Sequence, residues 1–415
     1  MYSAFAEFLG FEVNDGEFKV MGMAAYGEAK YKDKIERLFK SRVGLEILLD
    51  MSFFAFDRSN QTSLSHKFIN LFGPARDKEA QFLSADADVI SFTNSKQLVL
   101  DSQKYYADIA ASLQAVFEET VLSLVQELYK KTGQDNLVYA GGVALNSVVN
   151  GRIVQESNFK NVFIQPAAGD SGAALGAAFC ALGPKLFTDR KTFCYTTGAL
   201  GQEYKRSDIV KSIKRSKVKK FYEWSTTEEL INHLVKRLLR GEVGALMRGG
   251  FEFGPRALGN RSIIADPRTS KMKARVNHAV KFRELFRPFA PIVTKDSASK
   301  FFEFSSPDKV NSQPFAFMMG VTNVHKAVRG QLEAITHVDG TARVQIVHEE
   351  SNQFLHALLS EFGKLSGVPV LMNTSFNRRG EPIVNSPDEA ISAFLWTDID
   401  FLVMESFVLF KSDCV

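Results

Sequence analysis

Cysteine is nearly absent: Cys180, Cys194 and Cys414 are the only three in 415 residues. They form no CxxC pair, which excludes a disulfide framework and a thiolate zinc site. Histidine is also sparse. The seven histidines are scattered, with no HxxxH or HExxH spacing, and supply no complete metal set. No apolar run approaches the roughly 20 residues that a membrane span needs. The first residues lack a basic n-region and a cleavage site, so the expected compartment is a reducing cytoplasm. No internal repeat or low-complexity segment stands out. What is present is a chain that is 45% hydrophobic, with length for two or three domains at roughly 150 residues each.

Net charge is only +4, but it is unevenly placed. Between Arg248 and Arg287 stand ten Lys or Arg against Glu252, Asp266 and Glu284, a local +7 that leaves the rest at −3. Such a field suits phosphate or nucleic acid. A solvated surface is the plainer reading. Against it, these charges alternate with Gly, Pro and Phe instead of lying on one helix face.

Residues 104–131 place Ile109, Leu113, Val116, Phe117, Val121, Leu124, Val125 and Leu128 at helical spacing, with Gly133 as the stop. A strand is expected over Leu137–Ala140, then Gly141-Gly142 and a helix. The pattern repeats with a strand at Val162–Ile164, the turn QPAAGDSG and a helix at Ala173–Cys180. Two strand–glycine–helix units indicate an α/β domain. Their glycines offer backbone N–H groups at helix starts, where phosphate binds well. The pattern lapses over 182–192, which places the domain boundary at 188/189. Beyond it, Ser225 with Glu228 reads as a capping box, and a strand at Val243–Met247 enters RGGFEFGPRALGNRS. A helix is expected over 352–365, a strand at Val368–Met372 and a polar loop in NTSFNRRGEP. Ser386-Pro387 with Glu389 caps a helix, and strands near 401–404 and 407–410 close the chain.

Four polar clusters fall in this second part. The first holds Arg248, Arg256, Asn260 and Arg261; the second Lys281, Arg283 and Arg287. The third holds His337, Asp339 and Arg343; the fourth Asn373, Ser375, Asn377 and Arg379. Arginine offers a rigid fork of donors matched to phosphate. Asn and Ser add donors for a polar, partly neutral group, although an Asn in a turn is more often a satisfied turn residue. Four clusters in one domain suggest a site for more than one phosphate-bearing ligand. In the first domain, GGVALN (with Gly141, Gly142 and Asn146) and AAGDSG (with Gly169) are candidate nucleotide loops. Asp170 reads as a helix cap or a metal ligand.

These stretches, in order, resemble the NodU/CmcH-type O-carbamoyltransferases, which carbamoylate hydroxyl groups of antibiotics and nodulation factors. The matching segments are EFKVMGMAAYG, AGGVALNSVVNGRI, IQPAAGDSGAALGAA, FEFGPRALGNRSIIADPR, VNHAVKFRELFRPFAP, HVDGTARVQ and LMNTSFNRRGEPIV. The resemblance implies an α/β architecture of two parts. Residues 1–188 would be the C-terminal portion of an actin/hexokinase-like (ASKHA) carbamoyl-transfer domain, and 189–415 a YrdC-like domain that forms carbamoyl-adenylate from carbamoyl phosphate and ATP.

By the same resemblance Arg256, Lys281, Arg283 and Arg287 act in catalysis. Arg248, Asn260, Arg261, Arg343, Asn373, Ser375, Asn377 and Arg379 bind substrate or nucleotide, with Gly141, Gly142, Asn146 and Gly169. A divalent metal of Fe or Mg type would be held by a set to which only Asp170 belongs here. Members of the family carry an N-terminal histidine motif, and this sequence starts inside the pattern. The expectation is therefore a first domain with an incomplete sheet and exposed apolar surface, completed by a separate N-terminal chain or confined to the activation half-reaction. The acceptor would be an alcohol and the assembly a homodimer, without membrane or nucleic acid. Threonylcarbamoyl-type tRNA modification, or a non-catalytic nucleotide- or nucleic-acid-binding scaffold, remain as alternatives.

Overall fold

The computed structural model describes residues 1–83, 99–183, 195–281, 286–378 and 380–414. The 188/189 boundary, Cys194, Arg283 and Arg379 lie outside them, as does the side chain of Lys281.

The long periodic stretch forms one helix, Asp101–Thr132, ended by Gly133 in the left-handed conformation at φ +60°. Its apolar stripe buries Ile109, Leu113, Val116, Val121, Leu122 and Val125. The stripe also carries buried polar side chains. Asp108 accepts from the Glu28 N–H at 2.8 Å, and Ser112 from the Tyr31 N–H at 2.9 Å. The turn after helix Glu17–Ala24 is thereby docked on the long helix. Contact is so close that a Cβ on Gly27 would lie 2.0 Å from the Ala107 carbonyl oxygen. Helix Tyr2–Phe8 inserts Phe5 and Phe8 among Phe68 and Phe72, so the aromatic start of the chain is core.

A hairpin follows, β1 (Phe39–Val43) with β2 (Glu46–Leu49). The two strand–glycine–helix units give β3 (Asn136–Tyr139) and β4 (Asn161–Ile164), paired in parallel. After Gly141-Gly142 the chain makes a 3-10 turn, Gly142–Leu145, before helix Ser147–Glu156 begins. Alternation puts Leu137, Val162 and Ile164 in the core and leaves Val138 75% and Phe163 36% exposed. Helix Gly172–Leu182, GAALGAAFCAL, buries none of its residues. An exposed apolar face is thus present on this part of the molecule.

The second part is built on a mixed eight-stranded sheet. Its strands are β5 (Tyr222–Glu223), β6 (Gly244–Met247), β7 (Arg261–Ala265), β8 (Ala290–Thr294), β11 (Gln345–Val347), β12 (Val370–Ser375), β13 (Phe401–Met404) and β14 (Phe407–Phe410). Their order is β11-β8-β12-β7-β6-β13-β14-β5. Only β11/β8 and β13/β6 are parallel. A small pair, β9 (Thr322–Asn323) with β10 (Thr341–Ala342), stands apart. One face packs Leu246, Ile264, Ile292 and Leu371 beneath helices Thr227–Leu239 and Gln353–Ser366. The other turns Ala245, Met247, Ile263 and Val293 into a core that continues into Val149, Ile153 and Ile164 of the first part. The two parts therefore share this cluster, while Phe5, Phe8, Ile109, Leu113 and Val116 belong to a separate one.

Several sequence expectations shift. The cap of helix Thr227–Leu239 is Thr226, which accepts from the Glu229 N–H, one residue beyond the Ser225/Glu228 pair. The fourth polar cluster is not wholly loop: β12 extends through Asn373 and Ser375 because they pair with Ile264 and Ser262 of β7. Arg261 likewise begins a strand instead of ending a loop. The capping box at Ser386 and Glu389 is as expected.

Candidate functional site

The arginine loop is the β6–β7 connection, and a buried carboxylate organises it. Glu252 is 4% exposed, and its Oε1 accepts from the N–H groups of Leu258 (2.8 Å), Asn260 (2.7 Å) and Arg261 (3.1 Å). Burial pushes its carboxyl above the usual range, and these backbone donors pull it back. Arg261 is fully buried and donates from Nη1 to the carbonyls of Arg248, Gly249 and Asn260, and from Nη2 to that of Gln202. Arg248 donates to the Glu405 carbonyl at 2.7 Å and lies over the Phe354 ring. Asn260 joins the Gly250 carbonyl to the Asn352 amide. Arg248, Asn260 and Arg261 thus serve the loop itself, and none of the three lines the cavity described next.

That cavity measures about 1100 Å³ and lies between the two parts of the chain. Arg256, Arg287, Arg343, Asn373 and Ser375 line it from one side, and Gly142, Asn146, Gly169 and Asp170 from the other. Arg256 is set deep and keeps part of its surface open to the cavity. It has no hydrogen-bond or carboxylate partner among the described residues, and its Nε is buried. Burial, then the Arg287 charge, brings its guanidinium down to about 10, so it stays a cation at neutral pH. Arg287 lies over the Phe18 ring, 4.6 Å from its centroid.

Asn373 donates to the Ala257 carbonyl at 2.9 Å, and Gln345 to the Leu258 carbonyl at 2.7 Å. Strands β12 and β11 therefore grip the two residues after Arg256 and fix where its side chain starts. The Asn373 Oδ1 is buried and lacks a partner among the described residues. Ser375 donates to the Asn377 Oδ1, and Asn377 spends its amide on the Arg378 and Glu381 carbonyls, outside the lining.

In the first part, Gly141 adopts φ +99° and donates to the Ala168 carbonyl, tying the two glycine turns together. It does not reach the lining. Asn146 does, but it also caps helix Ser147–Glu156 and pairs with Gln114. Asp170 is exposed at the cavity. Among the described residues no three His, Cys, Asp or Glu side chains come together, so it gains no companion ligands there and a metal does not fit these residues alone.

A second cavity of about 110 Å³ adjoins the first and shares Arg256, Arg287 and Arg343 with it. Tyr26, His337 and Asp339 close it. Burial holds the His337 imidazole down to about 4, against the pull of Asp339 and together with Arg343. Sequence reasoning passed over Gln345 and Tyr26. Nothing in composition separates them from ordinary core polar residues, and only the topology brings them here.

Comparison with known proteins places the chain in a family. Its residues 1–179 match the model for the carbamoyltransferase N-terminus and 235–411 that for the carbamoyltransferase C-terminus, and the chain belongs to this family. An uncharacterized Synechocystis protein is 39% identical over 99% of the chain and 66% of its own length. Nodulation protein NolO of Bradyrhizobium diazoefficiens is 35% identical over 95% of the chain and 66% of its own length. The 3'-hydroxymethylcephem-O-carbamoyltransferase of Streptomyces clavuligerus is 33% identical over 65% of the chain and 47% of its own length. The chain spans at most 66% of the length of these three relatives. No helix among the described residues is long and apolar enough to cross a membrane.

Proposed function

We propose that the chain activates a carbamoyl group with ATP and takes part in its transfer to a hydroxyl. The observation that carries this reading is Arg256, a desolvated cation without a counter-charge among the described residues, at a cavity shared with Arg287 and Arg343. A buried charge is costly unless paired, so the site calls for an anion. Membership of the carbamoyltransferase family supports carbamoyl phosphate and ATP as the anions. In this reading residues 189–415 form a YrdC-like activating unit and 1–188 belong to an ASKHA-like transfer unit.

Atom balance sets the order of events. Water takes the phosphoryl group of carbamoyl phosphate, which leaves carbamate and phosphate. A carbamate oxygen attacks the α-phosphorus of ATP and expels pyrophosphate, giving carbamoyl-adenylate. An acceptor hydroxyl then attacks the carbamoyl carbon, loses its proton and expels AMP. Positioning and charge neutralisation dominate such chemistry. Arg256, Arg287 and Arg343 neutralise phosphate oxygens, while Asn373 and Ser375 orient the nucleotide or carbamoyl group. The family's metal is assigned no step, since the described residues do not assemble a ligand set around Asp170. The test is pyrophosphate release from ATP by the purified chain, with and without carbamoyl phosphate. Release that requires carbamoyl phosphate supports the reading; ATP binding without any release removes it.

A further inference from the structure

Besides arginine Nε atoms, the residues lining the small cavity carry two buried polar atoms that nothing in the described protein satisfies: His337 Nε2 and the Tyr26 hydroxyl. They come from opposite parts of the chain. Tyr26 follows helix Glu17–Ala24, and His337 opens the turn that leads to β10. Buried polar atoms are nearly always bonded, and exceptions call for an explanation.

The hydrogen-bond chain behind His337 fixes its tautomer. The Thr341 hydroxyl donates to the Asp339 carboxylate at 2.7 Å, because a carboxylate can only accept. That hydroxyl has a single hydrogen. Its contact with His337 Nδ1 at 2.9 Å therefore has the ring N–H donating to the hydroxyl oxygen. The Thr341 and His337 backbone N–H groups tighten the same turn, to Asp339 Oδ1 at 3.0 Å and to the Thr341 carbonyl at 2.7 Å. A neutral ring with its proton on Nδ1 presents Nε2 as a bare acceptor. Burial favours the neutral form here. The cavity wall also brings the donors Arg256, Arg287, Arg343 and Lys273, and the Asp339 carboxylate, whose Oδ1 already accepts from the Thr341 hydroxyl and N–H.

A fully ionised phosphoryl group has no use for such an acceptor, since its oxygens only accept. The missing partner is an N–H or O–H donor on a small anion. Carbamoyl phosphate carries both parts, a phosphoryl group for the arginines and an NH2 group that can only donate. The cavity is a tenth the size of its neighbour, which suits this molecule and not a nucleotide. We propose that His337 is the residue that selects the carbamoyl group, its Nε2 accepting a hydrogen bond from the carbamoyl NH2 in the small cavity. Thr341 and Asp339 are positioning residues that hold the imidazole in the accepting tautomer. The Tyr26 hydroxyl supplies a donor on the opposite wall. This inference rests on carbamoyl phosphate being a substrate, as put forward above.

Acetyl phosphate replaces the NH2 by a methyl group of similar size, and so isolates this one bond. A site built to hydrogen-bond a donor rejects the analogue that lacks it, because its own buried acceptor is left bare. Binding of both compounds to the purified full chain, measured by titration calorimetry, should show carbamoyl phosphate tighter by roughly tenfold or more. In His337→Phe that preference should vanish through loss of carbamoyl phosphate affinity, with acetyl phosphate held as before. His337→Gln, which restores an acceptor oxygen, should recover part of it. If His337→Phe fails to fold, Thr341→Val serves instead: the ring is released from its tautomer and the preference should fall severalfold. Equal affinity of the wild type for the two compounds would overturn the role of His337 and leave carbamoyl phosphate as a ligand. An unchanged preference in the variants would do the same. No binding of carbamoyl phosphate to a wild-type chain that binds ATP would remove the proposed function and this inference together.

Discussion

Arg256, in the β6–β7 loop, and Arg261, at the start of β7, stand five positions apart and have opposite fates. Arg261 gives its donors to four backbone carbonyls and closes the loop on itself. Arg256 gives none to the described protein and opens onto the cavity. Their substitutions should therefore fail differently. Arg261→Ala should unfold the loop and lower thermal stability, since four carbonyls lose a donor. Arg256→Ala removes a desolvated cation without a counter-charge, so thermal stability should hold or rise. Its pyrophosphate-release rate should drop by roughly 100-fold or more, the loss expected for a donor aimed at transition-state charge. Arg256→Lys should recover only part, because an ammonium lacks the guanidinium fork. Parallel melting curves and initial rates on the variants read both effects.

His337 also sets a pH signature. Its folded-state value of about 4 lies below the ordinary histidine value of 6.5. Between those limits the unfolded chain binds a proton at this ring and the folded chain does not. Stability therefore falls as pH drops from 6.5 to 4, by on the order of 3 kcal/mol from this group, and the loss is complete below about 4. The groups acting on the ring are Asp339, Arg343 and Lys273, with Tyr26, Arg256 and Arg287 on the same cavity. Denaturant melts from pH 7.5 to 4 should show a shallower acid limb in His337→Gln than in the wild type. Identical limbs would place the ring in solvent.

At the scale of elements, two glycines set how closely helices approach their neighbours. A Cβ on Gly151 would stand 1.9 Å from the Val321 carbonyl oxygen, and one on Gly27 2.0 Å from that of Ala107. Gly151 sits in helix Ser147–Glu156, which Val321 reaches by donating its N–H to the Ser147 carbonyl at 2.9 Å. Gly151→Ala must push the two parts of the chain apart and should destabilise by about 2 kcal/mol or more, as overpacking does. Gly141→Ala meets no atoms and carries only the strain of φ +99°. A smaller drop in melting temperature for Gly151→Ala than for Gly141→Ala would contradict this packing.

The same elements mark how far the sequence could be read. Helix Asp101–Thr132 was legible because its period and its glycine stop agree. Strands β13 and β14 were legible as apolar runs. Strand β7 was missed, since RSIIA is buried at every position and opens with an arginine, so neither alternation nor composition marks it. Asn373 was read as part of a polar loop, and the extension of β12 through it depends on pairing with β7 and β8, which sequence spacing does not encode. The loop arginines could be named but not sorted. Whether a guanidinium turns inward to carbonyls or outward to a ligand is settled by Glu252, Asn373 and Gln345, which lie at 252, 345 and 373 in the chain and meet only in space.

For the whole molecule, the decisive fact is that one cavity draws on both parts. Arg256, Arg287 and Arg343 line a cavity of about 1100 Å³ together with Gly142, Gly169 and Asp170, and one hydrophobic cluster spans both parts. In the function proposed above, activation on one wall and transfer from the other would need no diffusion of carbamoyl-adenylate through water. The direct measurement is pyrophosphate release from ATP by the purified chain at neutral pH, with carbamoyl phosphate, with acetyl phosphate and with neither, in wild type and Arg256→Ala. Release that appears with carbamoyl phosphate, is weak with acetyl phosphate and is lost in Arg256→Ala is the expected result. Release that ignores carbamoyl phosphate, or that survives unchanged in Arg256→Ala, would contradict it.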